Sequence, residues 1–179
     1  MIKLENQIYA DLILLVNKAL QAFKVEGWKI CQFTQPVKFT ETEPVIYVSI
    51  DKISKRGTQY SRDKKENGKL IHEEIFREEI NVKIFAFRRN LVTDSLTTQT
   101  SNDVLKMIKS WLVSPDGLRE IYSGGYSIYN PSEIKPLSFK NDSQNSSSLP
   151  SFNVTFIIEQ SWNTSVEEIS GYKLKMKGI

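Results

Sequence analysis

Cysteine and histidine are nearly missing from this chain: it holds one of each, Cys31 and His72, in 179 residues. A single cysteine excludes an intrachain disulfide and fits synthesis in a reducing compartment. Cys31 itself reads as a small buried or half-buried apolar residue. A nucleophilic role would need a lowered pKa and a partner base, and the one histidine lies far along the chain. A long apolar run is also missing. The longest, Leu12 to Val16, falls far short of the ~20 residues that cross a bilayer. The start, Met1 to Leu4, lacks the basic region and apolar stretch of a secretory leader. A soluble protein without membrane contact is therefore expected.

The sequence lacks the common catalytic and phosphate-binding patterns as well. It has no G-x-x-x-x-G-K-[ST] and no G-x-G-x-x-G to cradle phosphates, and no G-x-S-x-G nucleophile elbow. Ser123-Gly124-Gly125 reads as a helix stop. His72-Glu73-Glu74 has no second histidine, no cysteine pair and no H-E-x-x-H spacing to complete a metal site. Glu73, Glu74, Glu78 and Glu79 offer paired carboxylates, but neighbours on a strand point to opposite faces. Glu73 and Glu74 thus cannot line one pocket, and an exposed charged segment is expected. No catalytic, cofactor-binding or metal-ligating residue is assigned, and the chain is expected not to be an enzyme. Charge of one sign is scarce too: 24 basic against 21 acidic residues give +3, too mild to argue nucleic-acid binding from composition.

What is present suits one globular domain over residues 1–179. The chain is 40% hydrophobic and 25% charged, and a chain of this length buries roughly 70% of its unfolded surface. Ile8, Leu12, Leu15, Val16, Ala19 and Phe23 recur at helical spacing and predict a helix over 5–24, ended by Gly27. Residues 28–44 read as extended and irregular, punctuated by Pro36 and Pro44. Val45 to Ile50, apolar on both faces, predicts a central strand. Residues 70–90 read as one long strand, or two broken at Glu73–Glu79, with the alternation of Ile80, Val82, Ile84 and Ala86 arguing antiparallel pairing. A second helix is predicted over 100–113, capped by Thr100 or Ser101, with Val104, Ile108, Trp111 and Leu112 as its buried stripe. Ser114-Pro115 opens a short helix that stops at Gly124-Gly125. Short strands are expected at 126–130 and near Tyr172 to Met176, a firm one at Phe152–Glu159, and a flexible polar loop at 141–150. The fold class is α+β: a mixed, mainly antiparallel sheet, two main helices on one face, and a long protruding β-hairpin.

That hairpin carries the most informative charge. Residues 51–69 hold seven lysines and arginines and three acidic residues. Lys52, Lys55, Arg56, Arg62, Lys64, Lys65 and Lys69 surround Tyr60. This protruding basic loop fits two readings. It tracks a phosphate backbone, making the chain a nucleic-acid-binding accessory domain, or it is a solvated hairpin that docks on a protein neighbour.

The order of elements resembles the tail-terminator, or neck-terminator, proteins of tailed bacteriophages. The features are an opening amphipathic helix, then the strand Pro44-Val45-Ile46-Tyr47-Val48-Ser49-Ile50. A polar hairpin leads to Ile84-Phe85-Ala86-Phe87-Arg88-Arg89. A helix follows with Leu105-Lys106-Met107-Ile108-Lys109-Ser110-Trp111-Leu112, continued by Ser114-Pro115-Asp116-Gly117-Leu118, and a late strand reads Phe152 to Gln160. The match covers about residues 5–161. It implies a structural virion protein of the tail or neck, assembled in the host cytoplasm, whose six-subunit ring caps the tail tube and joins it to the head-side connector. It implies contacts with further copies, the tail-tube protein, the connector or neck proteins and the sheath protein. DNA would pass the lumen without specific binding, and neither cofactor nor active site is implied. Tyr60, Arg62, Lys64, Lys65, Phe76, Arg77, Arg88 and Arg89 are the candidate interface residues, since aromatics and arginine carry much interface energy.

Overall fold

The computed structural model describes residues 3–33, 44–66, 69–88, 99–129, 131–140 and 146–166. The opening helix α1 (Glu5–Ala22) starts where the Gln7 side chain accepts the Leu4 amide hydrogen at 2.9 Å. It stops before the predicted Gly27. Lys24 takes the left-handed conformation (φ 53), the Val25 amide bonds back to the Leu20 carbonyl at 2.9 Å, and the Lys24 amide bonds to Gln21 at 3.0 Å. This is a Schellman closure with lysine where glycine is usual. Its strain is offset by Val25, which turns into the core.

Six strands form one sheet: β1 (Lys29–Gln32), β2 (Val45–Glu66), β3 (Lys69–Phe87), β4 (Tyr126–Ile128), β5 (Lys135–Lys140) and β6 (Ser146–Val166). The order is β1-β2-β3-β6-β4, with β5 also along β6. All pairings are antiparallel except β1 with β2, so the sheet is mixed as expected. The segment 28–44, read as extended and irregular, supplies β1. Val45–Ile50 lies inside the sheet, and its two faces serve two clusters. Ile46 and Val48 join the main core under the helices. Val45 and Tyr47 pack on the other side with Phe85 and Leu149, flanked by Cys31, Phe33 and Phe87. Cys31 is half-buried there, as its chemistry suggested.

Of the two readings of 70–90, the single long strand is the one found, and one further expectation is corrected. The stretch Glu73–Glu79 does not break β3, which is continuous because each residue finds a partner on β2 or β6. The polar run 141–150 is not all loop: residues 146–150 already belong to β6. β5 provides the cross-strand partner that the local sequence did not reveal, placing Leu137 opposite a buried Leu149. Residues 141–145 and the strand expected at Tyr172–Met176 lie outside the described residues.

Three helices cover one face. α2 (Ser101–Leu112) is capped by Thr100, whose Oγ1 accepts the Asp103 amide at 3.2 Å while Asp103 Oδ2 accepts the Thr100 amide at 3.1 Å. α3 (Pro115–Ser123) follows, capped by Ser114 Oγ accepting the Gly117 amide at 3.1 Å. The stripe Val104, Leu105, Ile108, Trp111 and Leu112 meets Ile80, Val82, Ile84 and Ala86 of β3 and Phe152, Val154, Phe156 and Ile158 of β6. Burying each of the valine, leucine, isoleucine and phenylalanine side chains among these contributes about 1.5–3 kcal/mol.

Candidate functional site

Beyond the helix layer the three longest strands run on together. β2 from Asp51, β3 to Glu79 and β6 from Glu159 form an arm about 35 Å long, at ~3.3 Å per residue of β3. Two bulges set its phase. Asp51 is an extra residue between Ile50 and Lys52, which lets Ile50 and Ile53 both face the core. A second shift falls between Arg56 and Tyr60, where Gly57 sits at φ +72, a conformation glycine adopts without strain. The protruding basic segment 51–69 is strand through Glu66 and again from Lys69, as the expected long hairpin requires.

Register decides the electrostatics. β3 returns Arg77 with Glu73, Glu74, Glu78 and Glu79, so residues 51–79 net only +1. The pairs are specific. Arg62 Nε donates to Glu73 at 2.7 Å, and Lys64 stands 3.7 Å from the same carboxylate. Arg77 Nε donates to Glu159 at 3.2 Å, Gln59 to Glu74 at 2.8 Å, and His72 meets Asp63 at 2.7 Å. Arg56 lies 3.9 Å from Glu79 and 4.7 Å from the Tyr129 ring centre. Lys55 covers the Phe76 ring at 5.2 Å.

Glu73 was expected to be exposed, but only 6% of it is. Its carboxyl is held below the usual range chiefly by the Arg62 hydrogen bond; burial opposes this, and the Arg62 and Lys64 charges and a Ser161 bond reinforce it. The Arg62 guanidinium is shifted up for the matching reason, its bond to Glu73. The sign follows. A carboxylate depressed in the folded arm contributes stability above its unfolded value of 4.5, and that contribution is lost as pH falls through the lower folded value. Relative to the intrinsic exchange rate at each pH, the protection of β2 and β3 amides should therefore fall in the arm, and not in the core, as pH is lowered from 5 to 3, in roughly this carboxylate window. Glu73→Gln should show much of that loss of protection already at neutral pH.

The candidate residues separate by face. Tyr60, Arg62, Lys64 and Arg77 share the face away from the helices, with Tyr60 47% exposed. Lys65, opposite Leu70, and the half-buried Phe76 lie on the other face. Arg88 is remote from both, at the far end of β3, where its Nη1 donates to the Gln99 carbonyl at 3.3 Å. Arg89 lies outside the described residues.

Two arm residues escaped the sequence reading. Trp162 is 60% exposed on β6; its only signal is a lone aromatic in the polar run Ser161–Thr164. Gln160, only 1% exposed, locks the base of the arm. Its Oε1 accepts the Lys3 amide at 2.6 Å and its Nε2 donates to Glu78. Lys3 also reaches Asp11 at 2.7 Å, and Tyr126 donates to Asp11 at 2.8 Å. Burial, then that bond, pushes the Tyr126 phenol far up. Among the described residues no cluster of three His, Cys, Asp or Glu is placed to hold a metal, and no helix is long and apolar enough to cross a membrane. The arrangement provides a stiff, polar, two-faced projection suited to docking.

The fold built around this arm is shared with a sheath/tube terminator of known structure. It superposes on the sheath/tube terminator of an extracellular contractile injection system, PVC, in the extended state, with TM-score 0.52 over 91% of this chain at 12% identity. It spans 62% of that protein's length, and at this identity the likeness concerns the fold. The family is given by sequence: residues 7–168 match the model of E217 gateway protein gp29, and the chain belongs to that family. No curated protein matches it in sequence.

Proposed function

We propose that this chain is a structural virion protein, a tail-terminator or neck subunit whose six-membered ring caps the tail tube and joins it to the head-side connector. The observation that carries the reading is the arm: a long three-stranded projection, charge-balanced within itself, on a terminator fold in a gateway-protein family. Such a projection gives each copy unlike surfaces for its two neighbours, as a closed ring requires. The tube protein, the connector and the sheath protein are its partners in this reading, and its place is the virion. The direct test is assembly without it. Tails formed in its absence should carry tubes of uncontrolled length, and adding the purified chain should restore a uniform length. Tube lengths indifferent to the chain would overturn the reading.

The nucleic-acid reading is less well supported, because the cations of 51–69 face carboxylates of 70–79. DNA should pass the lumen without specific binding. Retention of duplex DNA should be weak at physiological salt and little changed by Lys64→Glu with Lys65→Glu. A strong complex, falling steeply with salt and abolished by that pair, would favour the accessory-domain reading.

A further inference from the structure

The two open edges of the arm are unlike. β1 covers β2 only from Val45 to Val48. Past that point the β2 edge is interrupted by both bulges and lined with Lys52, Lys55, Arg56, Arg62, Lys64 and Lys65, the devices by which edge strands resist added strands. The β6 edge has neither protection. β5 and β4 flank it only as far as Ile158, and on the side away from β3 no described strand lies alongside Glu159–Val166. Its register with β3 runs without a shift from Ser151 to Val166. Glu159 is the only charged residue in those eight, and there is no proline. Trp162 stands exposed on the helix side of this edge, and Glu159 and Asn163 line the other.

The chain leaves the described structure at this edge. Val166 lies opposite Leu70 at the tip of the arm, and residues 167–179 continue from it. Extended, they reach about 40 Å at ~3.3 Å per residue. Their sequence alternates Tyr172, Leu174 and Met176 with Lys173, Lys175 and Lys177. A strand of that pattern beside β6 sets its apolar positions against Trp162 and its lysines on the side of Glu159. Beside β2 the same lysines would meet cations.

We infer that Tyr172–Lys177 of one copy adds as a strand to the Glu159–Val166 edge of the next copy, so that ring neighbours are tied by strand exchange. This rests on the ring reading above. Donor at the tip and acceptor on the flank of one arm are the unlike surfaces that link copies head to tail. Main-chain hydrogen bonds supply affinity in such an addition, and alternate side chains supply register.

The test uses the full chain with Cys31→Ala, Asn163→Cys and Lys175→Cys, treated with a short bismaleimide. A ladder of covalently joined copies is expected. Removal of residues 167–179 should leave the melting temperature of the core unchanged and weaken assembly at least tenfold. Cross-links confined to single chains would mean that the segment folds onto its own β6, and would overturn the inference. Rings formed normally without 167–179 would overturn it and leave the ring reading standing. Failure of the intact chain to form any ring would refute the ring reading itself.

Discussion

Phe156→Ala is expected to lower stability by about 3–5 kcal/mol, the range for emptying a buried aromatic site. Phe156 is 1% exposed and lies in β6 between Ile80 of β3 and Ile128 of β4. Tyr126 meets its ring edge-on at 6.1 Å between centroids. The backbone on both sides is fixed by ladder bonds and cannot collapse into the vacated space, which places the cost in the upper part of the range. For a chain of this size that loss lowers Tm by roughly 6–20 °C. Natural domains have only about 5–15 kcal/mol to lose, so calorimetry should find a marginal fold. The neighbouring Ile157→Ala, on the opposite and half-buried face, should cost far less. Equal losses at the two positions would contradict the described register.

The second large effect is at Gly117, and here the sign is the test. Alanine is ordinarily better than glycine inside a helix by about 1 kcal/mol. At position 117 an added Cβ would lie 1.9 Å from the Trp111 carbonyl oxygen and 2.8 Å from its carbon. These are backbone atoms of α2, pinned where Ser114 closes one helix and opens the next. Relief requires prising α3 from α2, and with it Trp111 and Leu112 from the core. Gly117→Ala should therefore destabilise by about 3 kcal/mol or more, the high end of overpacking. A stabilised Gly117→Ala in thermal or urea unfolding would refute the close helix corner.

These helical features were legible because their causes are local. Spacing gave the buried stripe of α2, and Thr100, Ser114 and Pro115 gave the helix starts. The Val45–Ile50 strand was equally readable, since apolar residues on both faces imply an interior place. What escaped depends on partners distant in sequence. Lys29–Gln32 has no alternation of its own and is a strand only because Val45–Val48 lies beside it. Ser146–Ser148 look like loop and are ordered by β5. Lys24 stands in for glycine because Val25 packs inward. In the arm, the cations of one strand and the carboxylates of the next were both visible, but their cancellation needs the register. Arg62 and Lys64 converge on Glu73 only because a glycine bulge shifts β2 by two residues against β3. Burial of Glu73 follows from that meeting.

Arm, bulges, ion pairs and the unprotected β6 edge all make sense if the molecule works by joining copies of itself and its neighbours. Electron microscopy of the purified full-length chain measures this most directly. Closed rings of six with an open centre are the expected result. Particles that remain single copies at the highest attainable concentration, and on tail tubes as well, would contradict it.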